Sequence, residues 1–347
     1  MKILLLMDPG VSVPPKLYGG HERLVYMFAE QYIQMGHSVT IMAGPDSYCS
    51  GRTIHFGKNG LPKGKIQSLW EVAIAWKYLY LNHGKYDLIH NFGRLVYLIP
   101  ILNKPVQKIM TYGRVVTARN IEKICSKPNK HLIFTGCSNY LVSTGDVAGI
   151  WETVYNAIDF SKYTLRTEVS SDAPLMFLSR LDKIKGCHNA IALAKKTGRK
   201  LIIAGNISHL KEEQTYFETD VKPHVDGKLI QYVGPLNDEE KNDYLGKCAA
   251  LLMLIEWDEP FGMVMAEAMA CGTPVVGFQR GSVPEVVEEG VTGFVVDTVE
   301  EAVSALKKVP SIDRKNCRER AKSRFDVDVI AADYLNLFKN KKLSSEI

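Results

Sequence analysis

Three short segments hold residues whose types and spacing suit phosphorylated or hydroxylated ligands. The first is Arg180-Leu-Asp-Lys-Ile-Lys185-Gly186. An arginine can fork two phosphate oxygens while a lysine beside it acts as a point charge. The segment therefore reads as a diphosphate clamp, or as two solvated surface cations. The second runs from Glu256-Trp-Asp-Glu-Pro-Phe-Gly262 into Met263–Cys271. Pro260 suits the first turn of a helix, and Gly262 leaves N–H groups uncovered at its positive end. Glu259 then stands at the helix mouth, and Glu267 lies about two turns along, near the same face. A carboxylate set in Met-Val-Met-Ala-Glu-Ala-Met-Ala needs a partner. Sugar or ribose hydroxyls would serve, and so would a neighbouring basic residue. The third is Gly19-Gly20, where missing Cβ atoms let an anion approach the backbone, unless the pair is only a turn.

These segments each follow an aliphatic run. Strands are expected at Lys2–Met7, Ser38–Ala43, Leu88–His90, Lys108–Thr111 and Leu132–Cys137. A second series covers Leu175–Leu181, Leu201–Gly205, Leu229–Gly234, Ala250–Ile255, Pro274–Phe278 and Gly293–Asp297. Near-continuous apolar strands separated by helix-length stretches signal parallel sheets covered on both faces, whose ligands bind beyond the carboxyl ends of the strands. The pattern restarts near Ala173 after the polar connector Ser161–Asp172, so two doubly wound α/β domains are expected in tandem. The last amphipathic stretch, Val327–Phe338, follows no strand and is expected to dock across the domains, ahead of a polar tail.

The 347 residues are 46% hydrophobic and 23% charged, which excludes disordered and collagen-like chains. No apolar run reaches the ~18 residues of a membrane span. The opening run stops at Asp8-Pro9, too soon for a signal peptide. Seven scattered cysteines without a Cys-x-x-Cys pair fit a reducing cytoplasm and no structural zinc. Up to Asn156 there are 17 Lys+Arg against 9 Asp+Glu, and beyond it 26 against 29, so the first half is basic at +8 and the second −3. An anionic partner for the first half follows, or else uneven composition alone.

At this point Glu259-Pro-Phe-Gly-Met-Val-Met-Ala-Glu267, with Ala-Cys-Gly-Thr-Pro-Val-Val-Gly after it, resembles the Glu-x7-Glu motif of retaining glycosyltransferases of family four. Tyr18-Gly-Gly-His-Glu-Arg23 resembles that family's N-terminal Gly-Gly loop, Arg180…Lys185-Gly186 its donor-phosphate clamp, and Tyr155-Asn-Ala-Ile-Asp159 its interdomain segment. Gly281-Ser-Val-Pro-Glu and the residues to Val296 resemble the segment after the motif. The resemblance implies the GT-B fold, two Rossmann-like domains facing each other across a cleft. Residues 1–156 with 325–347 would bind the acceptor and 157–324 the nucleotide sugar. It further implies that Arg180 and Lys185 neutralise the leaving diphosphate, so that no metal or other cofactor is expected. Glu259, beside the backbone of Phe261, Gly262 and Met263, would hold the donor sugar, and Glu267 the ribose. Gly19 and Gly20 would close on the phosphates. In one place the chain departs from the family: Gly113, in Thr111-Tyr-Gly-Arg114, stands where members carry a histidine. Arg114, or His90 at another strand end, is expected to take that role.

The expected function is thus transfer of a sugar from a nucleoside-diphosphate sugar, UDP foremost, to a hydroxyl of an envelope glycan or glycolipid precursor. The alternatives are a nucleotide-sugar epimerase on the same scaffold and an impaired sugar-nucleotide-binding protein. Arg114 and Arg119 belong to a basic stretch with Lys104, Lys108, Lys123, Lys127 and Lys130, expected to rim the acceptor side. Arg52, Lys58, Lys63 and Lys65 precede Trp70, Trp76, Tyr78 and Tyr80. Cations beside aromatics suit a bilayer headgroup region, so reversible docking to an anionic inner membrane face is expected, the tryptophans otherwise being core. No nucleic-acid-binding module is visible.

Overall fold

The aliphatic runs pair as parallel strands whose side chains are buried on both faces. In the computed structural model, described over residues 1–16, 19–60, 64–129, 131–146 and 148–344 with side chains to Phe338, they form two sheets. Tyr18, Lys63 and Lys130 lie outside the described residues, as does the end of the polar tail. The chain divides into Met1–Ala157 with Val327–Ile347, and Ile158–Asp326. These divisions fall one and two residues beyond the expected ones.

The first unit holds β1 (Lys2–Leu6), β2 (Ser38–Ala43), β3 (Arg52–His55), β4 (Leu88–Asn91), β5 (Gln107–Tyr112), β6 (Leu132–Gly136) and β7 (Trp151–Thr153). Their spatial order is β3-β2-β1-β4-β5-β6-β7, every pair parallel. Ile3, Leu4, Leu5 and Leu6 of the central strand are fully buried. Truncating any of them to alanine would cost about 2–5 kcal/mol. The outermost strands β3 and β7 were not expected: each is short, polar and half exposed, without an aliphatic run.

The second unit holds β8 (Leu175–Leu178), β9 (Leu201–Ala204), β10 (Ile230–Gly234), β11 (Ala250–Met253), β12 (Val275–Phe278) and β13 (Gly293–Val296), in the order β10-β9-β8-β11-β12-β13. Each unit is doubly wound. Strand order reverses at β1/β4 in the first sheet and at β8/β11 in the second, and such reversals open a crevice at the carboxyl ends.

The terminal helix Val327–Ser344 belongs to the first unit. Its Tyr334 packs edge-on to Phe28 of the Gly20–Gln34 helix and lies 4.5 Å from the His90 ring. No helix among the described residues is long and apolar enough to cross a membrane.

Candidate active site

In the second unit the loops after β8 and β11 meet at the reversal point. The close approach is made by Gly186, in the left-handed region at φ 72°, where a Cβ would lie 1.9 Å from the Leu254 carbonyl oxygen. Any other residue would push the two loops apart. With the loops held together, Lys185 Nζ reaches Glu259 Oε2 at 2.7 Å, the two side chains only 10% and 13% exposed. Trp257 Nε1 donates to the same oxygen at 3.0 Å, and the Lys185 ammonium sits 4.2 Å from the Trp257 ring centroid. The loop after β12 buttresses this group, the Ser282 N–H donating to the Glu259 carbonyl at 2.9 Å.

Arg180 leans on Asp182 at 2.8 Å, with its own side chain 53% exposed and the aspartate buried. One cation is therefore buried and carboxylate-bound, while the other reaches solvent five residues earlier.

The helix after the motif spans Met263–Ala270, with Gly262 as its N-cap. This corrects two expectations. Pro260 precedes the helix rather than opening it, and Glu259 lies in the loop, so the two glutamates do not share a helical face. Glu267 is about one turn in, and its partner is basic: Lys241 Nζ at 2.7 Å. Lys241 is delivered by the Asp238–Lys247 helix, which a reciprocal capping box between Asn237 and Glu240 fixes at its start. Tyr163 completes this group beneath the Lys241 ammonium, and burial followed by the Glu267 charge pushes its hydroxyl pKa up. Phe261 is a buried anchor, edge-on to Phe325 at 5.5 Å, so its ring is closed to a ligand. Trp257, Asp182 and Lys241 were not anticipated as site residues. Trp257 could have been, since an indole two residues before a loop glutamate can donate to it.

In the first unit, Gly19 caps the helix that Gly20 begins. A Cβ on Gly19 would fall 2.7 Å from Glu22 Oε2, so a carboxylate of the first turn already occupies this helix end. Burial raises the Glu22 pKa.

His90 is not available for chemistry, which corrects its expected role. Its ring is fully buried, stacked 4.0 Å from Phe92, with Nε2 2.7 Å from Thr111 Oγ1. Burial lowers its pKa to about 3. It is a neutral core histidine.

Two cavities of about 520 Å³ each open beyond the carboxyl ends of this sheet. Met7, Asp8, His21, Arg94, Gly113 and Arg114 line both. Arg94, not anticipated, pairs with Asp8 at 3.0 Å and Glu71 at 3.5 Å. Lys123 and Lys127 join the first cavity beside apolar Leu95, Val96, Ile99 and Val116. Arg119 is exposed but lines neither cavity. Lys108 is corrected from rim to core: fully buried, it donates to the Lys104 and Val106 carbonyls at 2.8 and 2.7 Å, and burial lowers its pKa to about 8.

Residues 167–324 match the family model described as glycosyl transferases group 1. The chain is 25% identical over 333 residues to an uncharacterized 41.2 kDa protein in the cps region of Klebsiella pneumoniae, covering 84% of this chain and 88% of that one. It is 28% identical over 211 residues to N-acetyl-alpha-D-glucosaminyl L-malate synthase of Bacillus anthracis, covering 54% of this chain and 53% of the other. Among solved structures it is similar to Anabaena Alr3699/HepE in complex with UDP and glucose, with TM-score 0.71, 21% identity, and 99% and 100% of the two chains covered. With two Rossmann-like units and a group 1 glycosyl transferase match over the second, the chain is a glycosyltransferase of the GT-B fold.

Proposed function

We propose that the chain transfers a sugar, with retention of anomeric configuration, from a UDP-sugar to a hydroxyl of an anionic or lipid-linked glycan precursor of the cell envelope. The observation that carries this reading is the Lys185–Glu259–Trp257 group at the β8/β11 reversal, with Arg180 exposed beside it. Breaking the bond to a diphosphate leaves negative charge on the departing group and positive character on the sugar. Cations held in place before the reaction stabilise that separation without reorganising. Arg180 and Lys185 neutralise the diphosphate in place of a metal, and no other cofactor takes part. Lys185 and Trp257 both hold Oε2 of Glu259, which leaves Oε1 to accept a donor-sugar hydroxyl, with the Gly262 and Met263 backbone beside it. Glu267 meets the ribose hydroxyls while keeping Lys241. The Gly19–Gly20 turn offers its N–H groups to phosphate if Glu22 moves aside. The UDP and glucose named for the Anabaena structure support the donor class, and the cps region named for the Klebsiella relative supports an envelope glycan.

On the acceptor side, Arg114, Lys123 and Lys127 offer cations around an apolar cavity, which suits an anionic headgroup with a lipid tail. The Lys65–Asn82 helix supports docking at an anionic bilayer. Its outward stripe holds Ile66, Leu69, Trp70, Tyr80 and Leu81 at 85%, 70%, 55%, 57% and 65% exposure, with Lys77 among them. Trp76 instead turns inward, donating to the Val96 carbonyl at 2.7 Å. The protein then works at the inner face of the membrane.

Thermal unfolding against UDP-glucose, UDP-galactose, UDP-N-acetylglucosamine and GDP-mannose tests the donor, because a ligand at 100 times its Kd stabilises by about 2.7 kcal/mol. A shift with at least one UDP-sugar is expected, and no shift with any overturns the reading. NMR of the first-formed anomer tests retention. Free epimerised sugar nucleotide without an acceptor would favour an epimerase, and binding without turnover an impaired enzyme.

A further inference from the structure

His21, on the first turn of the Gly20–Gln34 helix, lines both cavities of the first unit, yet its ring makes no hydrogen bond or ion pair among the described residues. Arg94, which lines the same cavities, is otherwise engaged: it holds Asp8 and Glu71, and also bonds Tyr97 and Ser68. The ring's seat is made by Gly113, the first residue beyond β5. A Cβ at Gly113 would lie 1.7 Å from His21 Nε2 and 2.4 Å from Cε1. No positive φ demands glycine there. The three atoms nearest to such a Cβ all belong to the imidazole, so it is His21 that a side chain at 113 would strike first. Burial, followed by the charge of Arg114 against the smaller opposing effect of Asp8, lowers the His21 pKa and keeps the ring neutral. A neutral imidazole offers one N–H donor and one bare nitrogen, the pair of functions that can hold a sugar hydroxyl in either sense.

We propose that His21 is a catalytic residue of the transfer, its imidazole hydrogen-bonding a substrate hydroxyl in this cavity, and that Gly113 is bare in order to seat it. This rests on the transferase reading above. His21 contacts the substrate directly, while Gly113 acts only through the space it leaves.

The test measures UDP release from UDP-glucose, UDP-galactose and UDP-N-acetylglucosamine, with water or n-octyl β-glucoside as acceptor, alongside donor Kd and Tm. His21→Ala should lower kcat at least 100-fold with donor Kd within about twofold of wild type. Gly113→His alone should lose activity through collision with His21, whereas His21→Ala/Gly113→His should regain at least tenfold over His21→Ala. If His21→Ala fails to fold, His21→Phe replaces it, keeping a ring without nitrogens, and the same loss of kcat is expected. Turnover of the folded variant within threefold of wild type overturns the assignment. So does a wild-type protein that binds these donors and turns none over. Absence of binding to any of them sinks the UDP-sugar donor reading on which the proposal rests.

Discussion

Replacing Lys185 with methionine keeps most of the side chain's length and removes only its charge. Glu259 then loses its cation and keeps a single N–H donor, from Trp257. Removing one half of a fully buried ion pair costs about 3–5 kcal/mol. Here the two side chains are 10% and 13% exposed, so water recovers part of that, and a loss of about 2–3 kcal/mol is expected. For a unit of this size, each kcal/mol moves Tm by about 2–4 °C, so Tm should fall by about 4–12 °C. Adding Glu259→Gln removes the stranded charge and should restore at least half of the loss, although each single variant is destabilised. Catalysis should respond differently. Losing a preorganised cation on the leaving diphosphate raises the barrier by about 2–4 kcal/mol, or about 30- to 1000-fold in rate, and the double variant should recover none of it. UDP release measured well below the lowered Tm separates the two effects. Turnover of Lys185→Met within threefold of wild type, or a double variant no more stable than the single, would refute this account of the pair.

Glu267→Ala should weaken donor binding about tenfold or more, while Glu259→Gln mainly lowers kcat, because ribose contacts are alike in ground and transition states and contacts to the reacting sugar are not. Equal donor Kd for wild type and Glu267→Ala would remove the ribose assignment. Turnover should survive exhaustive chelation, and its loss with recovery on adding magnesium or manganese would contradict a metal-free mechanism. His90, with its pKa lowered to about 3, takes no proton in the folded state until far below the unfolded value near 6.5. The stability it contributes is therefore complete above about pH 6.5 and falls as acid protonates the unfolded chain, by about 2 kcal/mol from pH 7 to pH 5. Urea unfolding of His90→Phe across that range should lack this decrement, and an unchanged pH slope would mean the imidazole titrates normally. Wild type should sediment with anionic but not neutral vesicles and release in high salt. Trp70→Ser with Leu69→Ser should abolish this, and equal recovery with both vesicle types would exclude electrostatic docking.

The sequence alone determined the parallel α/β architecture, because a strand covered on both faces must be apolar along its whole length, and Lys2–Leu6 or Ala250–Met253 carry that requirement in their composition. It also marked the loops after β8 and β11, since Gly186, Gly262 and the charged residues beside them are local features. What it hid depends on partners distant in the chain. β3 and β7 are strands only because a neighbouring strand pairs with them, and nothing apolar in Arg52–His55 announces it. That Glu267 has a lysine beside it was decided by the approach of Lys241 from another helix, 26 residues away in sequence. His90 and Lys108 looked like accessible groups at or near strand ends, but packing enclosed both, and burial alone lowered their pKa values. His21 and Gly113 lie 92 residues apart. Only a fold that lays the first turn of one helix against the end of β5 could show that the glycine at 113 makes room for an imidazole, a steric fact invisible in either residue by itself.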